Sequence, residues 1–157
     1  MNPYEEIKYL RIHVIDSCIE VETHISILLG AIIKIDWENS RTLGHKSGGL
    51  SFNQKVYMIQ DIESISNEMV NKFTCLMRIR NKFAHVAAIN TFERLFANTK
   101  VGKEVQKNLI KWYGDTFKKD NYKSEEQWYL RLFDLLQDEL IGFLVDIQYE
   151  YHVKGFN

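Results

Sequence analysis

Residues 3–35 read PYEEIKYLRIHVIDSCIEVETHISILLGAIIKI and decide the fold of this 157-residue chain. From Ile7 to Ile35, apolar residues recur at every third or fourth position, which is the spacing of one helix face over about eight turns. Pro3 suits the first position of a helix, and no other proline follows it in the chain. The sequence therefore predicts one long amphipathic helix over residues 3–35.

The next part of the chain contains a connection and then two further helical patterns. Residues 36–50 collect three of the eight glycines and show no helical period, so they predict a loop. Ser51 is expected to cap a short helix. A longer apolar stripe then runs from Ile62 to Phe83 at helical spacing and ends near His85.

The last part of the chain carries three sequence signals for helix ends. Asn90 and Glu93 match a capping box that opens a short helix, and Gly114 is expected to end the helix that follows it. Ser124–Gln127 match a second capping box, which opens a long final helix ending at about residue 152. Nowhere do apolar and polar residues alternate as in a half-buried strand, so no strands are predicted.

These elements predict an all-α fold, an antiparallel bundle of four to five main helices with long first and last helices. One domain is expected over residues 1–157, because a chain of this length can bury about two-thirds of its unfolded surface around a single core. Hydrophobic residues make up 45% and charged residues 26% of the chain, which is a globular composition that argues against intrinsic disorder.

The cysteines and the apolar segments predict the cellular location of the protein. Cys18 and Cys75 have no CxxC partner, so we expect two free thiols in core positions rather than a zinc site or a disulfide. The N-terminus lacks the pattern of a signal peptide, and the longest apolar run, Ile25–Ile35, is too short to span a bilayer. The expected location is the cytoplasm, with no membrane partner.

Signatures of common cofactor and metal sites are missing from the sequence. Residues 44–49 resemble a phosphate-binding loop, but their spacing is wrong and no strand precedes them, so a flexible connection is the simpler interpretation. Glu20 and His24 lie one helical turn apart, with His13 further along a nearby face. A metal site needs three or more converging ligands, so we predict no metal and no cofactor.

One polar cluster interrupts the second apolar stripe, in the segment Leu76–His85, which reads LMRIRNKFAH. At 100° per residue, Asn81 and His85 share a helix face, while Arg80 lies about 140° from His85 and reaches it only through its long side chain. From geometry alone, a basic helix end that complements the helix dipole is the favoured interpretation of these residues. From the residues alone, both interpretations stay open.

The segment RNKFAH, Arg80–His85, resembles the R-x(4–6)-H motif of the HEPN superfamily, in which a polar residue follows the arginine directly. The segment IRNKFAH, preceded by Leu50–Lys55 (LSFNQK), is most similar to the mannitol-operon-repressor-like branch of that superfamily. The resemblance covers about residues 50–86. Outside these residues, the long first helix and the helical tail agree with the superfamily only in being helical.

The resemblance implies a helical bundle that forms a homodimer, with two R-x4-H motifs facing each other across one cleft. Many members are metal-independent endoribonucleases of toxin–antitoxin, anti-phage and RNA-processing systems. Others have lost activity and act as binding or regulatory modules, and mannitol-repressor-like proteins are described as regulators of transcription. Expected partners are therefore RNA, a second copy of the chain, and an antitoxin or regulatory protein. Nothing resembles a helix-turn-helix element for direct operator binding.

Carried over by position, Arg80 and His85 become the catalytic pair and Asn81 the supporting polar residue. Histidine can transfer protons near neutral pH, and arginine presents a cationic fork to phosphate oxygens. Such a site can cleave RNA through its 2′-hydroxyl without metal, and it cannot cleave DNA in this way. Arg78 and Lys82 are second-tier candidates for RNA phosphate contacts, and a solvated surface role explains them equally well.

The charge distribution along the chain supports a polyanionic partner. The formal net charge is −1, which by itself argues against a nucleic-acid binder. However, residues 70–119 hold eleven basic and three acidic side chains, while both flanking regions are acidic. If this basic centre folds onto one face, it attracts phosphate in a salt-dependent way. Besides the motif, it contains Lys72, Arg78, Lys82, Arg94, Lys100 and Lys103.

Overall fold

A computed structural model describes residues 3–46, 48–97 and 99–154 of the chain. Within these residues the structure holds six α-helices and one short 3₁₀ helix, and no strand. The helices are α1 (Pro3–Ile33), α2 (Phe52–Ile62), α3 (Asn67–His85), α4 (Phe92–Ala97), α5 (Lys100–Tyr113) and α6 (Glu125–Lys154), with the 3₁₀ helix at Lys119–Asn121. The prediction of an all-α bundle with long first and last helices is confirmed.

The end of α1 shows why the long helix stops two residues earlier than its apolar pattern. Lys34 has a left-handed backbone conformation, with φ of 58°. The N–H of Ile35 donates to the carbonyl of Gly30 at 3.0 Å, five residues back. This arrangement satisfies a carbonyl of the last turn and turns the chain away from the helix axis. Ile35 continues the apolar period without belonging to the helix.

The helix starts confirm one predicted cap and correct another. Ser51 forms a complete capping box with Gln54 at the start of α2, as expected. The Asn90 box is wrong, because α4 starts one residue later than that box requires. The hydroxyl of Thr91 accepts the Arg94 N–H at 3.2 Å, while the side-chain oxygen of Asn90 is buried without a hydrogen bond in the described part of the chain.

A second acceptor for the start of α4 comes from α6. The two carboxylate oxygens of Glu126 accept the backbone N–H groups of Phe92 and Glu93 at 2.9 and 2.7 Å. A negatively charged acceptor is favoured at the N-terminus of a helix, where free N–H groups point outward. The local Asn90–Glu93 pattern was therefore misleading, because a residue distant in sequence caps this helix.

The later helix ends agree more closely with the sequence signals. α5 ends at Tyr113, and the N–H of Gly114 donates to the carbonyl of Ile110 at 2.8 Å. At the start of α6, Ser124 accepts the N–H of Gln127 at 3.2 Å. Only this half of the predicted capping box forms, because the Gln127 side chain accepts from the backbone of Lys123 instead.

The described chain divides into two compact units. The first contains residues up to Cys18 together with Thr74–Asp138, and the second contains Ile19–Phe73 together with the residues from Glu139 onward. Each of α1, α3 and α6 contributes to both units. One domain over residues 1–157 stays a prediction.

The first unit is built around Phe92 of α4. Its ring lies 5.5 Å from Phe83 of α3 and 6.0 Å from Phe133 of α6, measured between ring centroids. Phe96 and Tyr129 complete this cluster, and their rings are 4.7 Å apart. Because these side chains are buried, they fix the last turns of α3 against α4 and α6.

The close approach of α5 to α4 depends on a glycine. A Cβ on Gly102 would lie 1.9 Å from the carbonyl oxygen of Leu95, a distance that no side chain can occupy. Gly102 is also where Thr99 caps α5, because the Thr99 hydroxyl accepts the Gly102 N–H at 2.9 Å. The position of α5 therefore follows from the absence of a side chain at residue 102.

The second unit combines an apolar core with a buried ion pair. Phe73 and Phe143 pack edge to face with ring centroids 6.1 Å apart. Lys55 of α2 is 1% exposed and its ammonium group donates to Glu22 of α1 at 3.0 Å. The ion pair provides the Lys55 ammonium with a charged acceptor where little water reaches it.

Two further expectations concern the cysteines and the membrane. Cys18 and Cys75 are both buried free thiols, which confirms their prediction as core residues. Burial raises the pKa of the Cys75 thiol to about 12, against the opposing effect of the nearby Arg78 charge. No helix in the described ranges combines the length and apolar character needed to cross a bilayer.

Candidate functional site

The motif residues lie in the last two turns of α3, within the first unit. Asn81 and His85 are exposed, whereas Arg80 and Lys82 are half-buried. His85 is the last residue of the helix. Within the described residues, its exposed imidazole makes no hydrogen bond or ion pair and is accessible to a ligand.

The helix geometry separates the motif into two sides of α3. Because residues 78–85 form regular helix, Arg78, Lys82 and His85 project within about 60° of one another around the axis. Arg80 projects about 140° away from His85, toward the side that carries the buried Ile79 and Phe83. Within one chain, Arg80 and His85 are therefore close along the axis of α3, but their side chains project to different sides of the helix.

Arg11 of α1 holds the carbonyl end of α3 in place. Its guanidinium donates to the carbonyl oxygens of Ala84 and Ala87, both at 3.4 Å. These carbonyls belong to the helix end and to the residues just after it, where no N–H group of the helix is in position to donate to them. Arg94 contributes a similar bond to the carbonyl of Ala88 at 3.1 Å. Both arginines steady the backbone that carries His85.

Sequence reasoning did not identify Arg11 as part of this region. Arg11 lies 73 residues before Ala84 in the chain and interrupts an otherwise ordinary helical pattern. A basic residue beside an apolar stripe is common on any amphipathic helix. No local signal distinguishes Arg11, and only the packing of α1 reveals its role.

Arg78, a predicted RNA contact, is paired with a carboxylate. Its guanidinium donates to Glu104 of α5 at 2.7 Å, and the two side chains are 38% and 46% exposed. The pair joins the α3 face that carries Lys82 and His85 to α5. It also neutralises much of the charge that Arg78 was expected to offer to phosphate.

Lys72 does not belong to a basic surface, and its inclusion in the expected basic face is wrong. Its side chain is 6% exposed and forms ion pairs with Glu139 at 2.7 Å and Glu68 at 2.9 Å. Burial opposes the charge of Lys72, yet the hydrogen bonds to both carboxylates outweigh burial and raise its pKa. Lys72 lies in the second unit and stabilises it instead.

His13, which was weighed as a metal ligand, has a partner on another helix. His13 forms a 2.8 Å hydrogen bond with Asp134 of α6. Across the described ranges, no three His, Cys, Asp or Glu side chains converge as a metal site requires. His13 and Asp134 therefore link α1 to α6 within the first unit.

Comparison with known proteins adds no relative to this picture. No protein-family model matches the sequence, and neither the curated proteins nor the solved structures contain a match.

Proposed function

We propose that this protein is a metal-independent endoribonuclease of the HEPN type that acts in a toxin, defence or stress response in the cytoplasm. One observation carries the proposal: an exposed His85 ends α3, one turn after an exposed Asn81 and within two turns of Arg80, in an all-α bundle. The exposed imidazole is accessible to an RNA strand. The motif thus occupies a position from which it can act on a ligand.

The proposed reaction uses the 2′-hydroxyl of RNA as its nucleophile. The 2′-oxygen attacks the adjacent phosphorus while a histidine removes its proton, and the bond from phosphorus to the 5′-oxygen breaks. The leaving 5′-oxygen takes up a proton from a second acid, which leaves a 2′,3′-cyclic phosphate and a 5′-hydroxyl. Arg80 stabilises the added negative charge on the phosphate oxygens, and Asn81 orients the phosphate or the imidazole by hydrogen bonding.

Dimerisation supports this chemistry in two ways. A proton must leave one oxygen and reach another on the opposite side of phosphorus, which two histidines do more readily than one. Arg80 and His85 of one chain also project to different sides of α3. A second copy can bring its own Arg80 or His85 to the same phosphate. We therefore propose a homodimer with the two motifs facing each other.

The test is RNA cleavage by the purified protein in excess EDTA. We expect products with cyclic-phosphate ends, and loss of at least about a hundredfold in rate for Arg80→Ala and for His85→Ala. Matched controls are Arg41→Ala and His152→Ala, which remove the same side-chain types from exposed positions outside the motif. A 2′-deoxy version of the same substrate should stay intact.

Either of two results would count against the proposal. Equal cleavage by wild type, Arg80→Ala and His85→Ala points to a contaminating nuclease, and intact RNA with every variant removes the enzymatic function. Light scattering at micromolar concentration tests the dimer separately. A monomeric mass there would exclude the shared cleft.

A non-catalytic regulatory module of the mannitol-repressor-like kind is the second candidate function. The divergent directions of Arg80 and His85 favour it, because one helix end then offers separate contacts to a binding partner instead of one reactive centre. Under this function the protein regulates transcription through a partner protein. Intact RNA in EDTA and in Mg²⁺, together with an unchanged dimer, is the result expected for it.

A further inference from the structure

The outer face of α5 carries four lysines in one row. Lys100, Lys103, Lys107 and Lys111, here called the lysine row, are all exposed. Their spacing of three, four and four residues places them within about 80° of one another around the helix axis and over about 16 Å of its length. The opposite face of α5, which includes Val105 and Leu109, is buried. The row is therefore a straight line of positive charge on the surface.

No carboxylate pairs with the lysine row, in contrast to several other basic residues of the described chain. Lys55, Lys72, Arg78 and Lys119 each form an ion pair with a carboxylate. Within the described residues, the ammonium groups of the four row lysines form no hydrogen bond and no ion pair. α5 itself contains one acidic residue, Glu104, and Arg78 already holds it. The charge of the row is thus uncompensated by the fold.

A surface groove runs along the start of the row. It has a volume of about 580 Å³ and is lined by Ala97, Thr99, Lys100, Lys103, Glu104 and Lys107. Three of its six lining residues belong to the row. A groove with cationic walls concentrates anions, since its shape focuses the field of the lysines.

The row adjoins the candidate site through the Arg78–Glu104 ion pair. Arg78 projects from the α3 face that carries Lys82 and His85, and Glu104 projects from α5 about 40° from Lys100. The row and the α3 face are therefore adjacent surfaces within the first unit, and a strand lying along the row can reach the α3 face. This continuity links a binding surface to the motif.

We infer that the lysine row binds the phosphate backbone of the RNA substrate, in a way that does not depend on base sequence. The inference rests on the proposed function, which supplies RNA as the substrate class. A line of regularly spaced cations matches a polyanionic backbone better than the scattered carboxylates of a folded protein surface. Val105 and Leu109 on the opposite face of α5 are buried and are therefore not available for insertion into a membrane.

The experiment measures binding without cleavage. A fluorescently labelled, unstructured RNA of twelve nucleotides is titrated with the His85→Ala protein, and anisotropy gives the Kd at several salt concentrations. The row variant adds Lys→Gln changes at all four row positions to His85→Ala. We expect its affinity at low salt to fall by about tenfold or more, and the slope of log K against log salt to flatten by about 3.

A second variant with the same net charge serves as the control. It combines His85→Ala with Lys→Gln changes at four exposed lysines outside the row: Lys8, Lys34, Lys46 and Lys118. We expect its affinity to stay within about twofold of the His85→Ala protein, since scattered charges act on the strand only at long range. Circular dichroism and thermal melting verify that all three proteins are folded alike.

Three outcomes would overturn the inference: equal losses in the row and control variants, no loss in either, or equally tight, row-dependent binding of a poly-glutamate peptide. The last outcome would assign the row to an acidic protein partner. The binding assay and the cleavage assay test the two proposals separately, because either result can be negative while the other is positive. Row-dependent RNA binding by a wild-type protein that never cleaves RNA overturns the nuclease alone, whereas cleavage with row-independent binding overturns the inference alone.

Discussion

The guanidinium of Arg78 in α3 donates to the carboxylate of Glu104 in α5 at 2.7 Å. This pair turns a predicted phosphate contact into a structural link between the motif helix and the lysine row. It also removes the one carboxylate of α5 that could otherwise offset the row. The pair therefore controls how much positive charge this surface presents.

Glu104→Gln should strengthen RNA binding by about two- to fivefold at low salt, because it frees the Arg78 charge for one more phosphate contact. Arg78→Ala should weaken binding by about two- to fivefold, since it frees the Glu104 carboxylate to offset the lysine row. Anisotropy titrations in the His85→Ala background measure both. Glu38→Gln, an exposed carboxylate outside α5, is the matched control. Equal effects of the two Glu→Gln changes would show that only net charge matters.

Gly102→Ala should destabilise the protein by about 1–3 kcal/mol, because its methyl group would collide with the Leu95 carbonyl and push α5 away from α4. The same change at Gly142 should stabilise it by about 0.5–1 kcal/mol. Gly142 is an exposed α6 residue whose added Cβ would meet nothing within 4 Å, so alanine there only favours the helix. Urea unfolding measures both, and the same sign of change at the two positions would contradict the packing described here.

Lys55→Met should lower the free energy of unfolding by about 3–5 kcal/mol, because it leaves the Glu22 carboxylate largely buried without the Lys55 ammonium. Replacing both partners, as Lys55→Met with Glu22→Leu, should restore most of that loss. Lys72→Met is the matched control. It should lower the free energy of unfolding by only about 1 kcal/mol, because the side chains of Glu68 and Glu139 are 66% and 37% exposed. Urea unfolding measures all of these variants. A Lys55→Met cost no larger than that of Lys72→Met would argue against a buried pair.

The buried Cys75 thiol should make stability fall at alkaline pH. Its pKa is raised from the ordinary 9.0 to about 12 by burial, so the unfolded chain loses this proton at lower pH than the folded chain. The contribution of the neutral thiol is fully present below about pH 9 and is lost as the pH rises toward 12.

Urea unfolding at about pH 8 and about pH 10 tests this pH dependence. Between these values, the free energy of unfolding of the wild type should fall by about 1 kcal/mol more than that of Cys75→Ala, in which this group no longer titrates. Every other ionisable group is the same in both proteins, so its effect cancels in the comparison. Parallel falls would mean that Cys75 ionises normally.

Local patterns account for most of the correct sequence predictions. The apolar period located α1 and α6, and Ser51 and Gly114 marked helix ends, because a helix period and a cap depend on residues within a few positions. The local pattern at Asn90 gave a wrong prediction of the cap, since the start of α4 is capped by Thr91 and by Glu126, which lies 34 residues beyond Phe92. A cap supplied from another helix leaves no local signature.

The sequence by itself determined the helices, the two core thiols and a basic middle segment that carries the Arg80–His85 motif. Tertiary structure decided which of those charges stay available. Lys72 is buried between two carboxylates and Arg78 is paired with Glu104, whereas the four lysines of α5 stay exposed. Charge depends on composition, but its compensation depends on which side chains meet across the fold. For that reason, the lysine spacing of α5 is present in the sequence, whereas only the packing of α5 against α3 pairs Glu104 with Arg78 and leaves the row uncompensated.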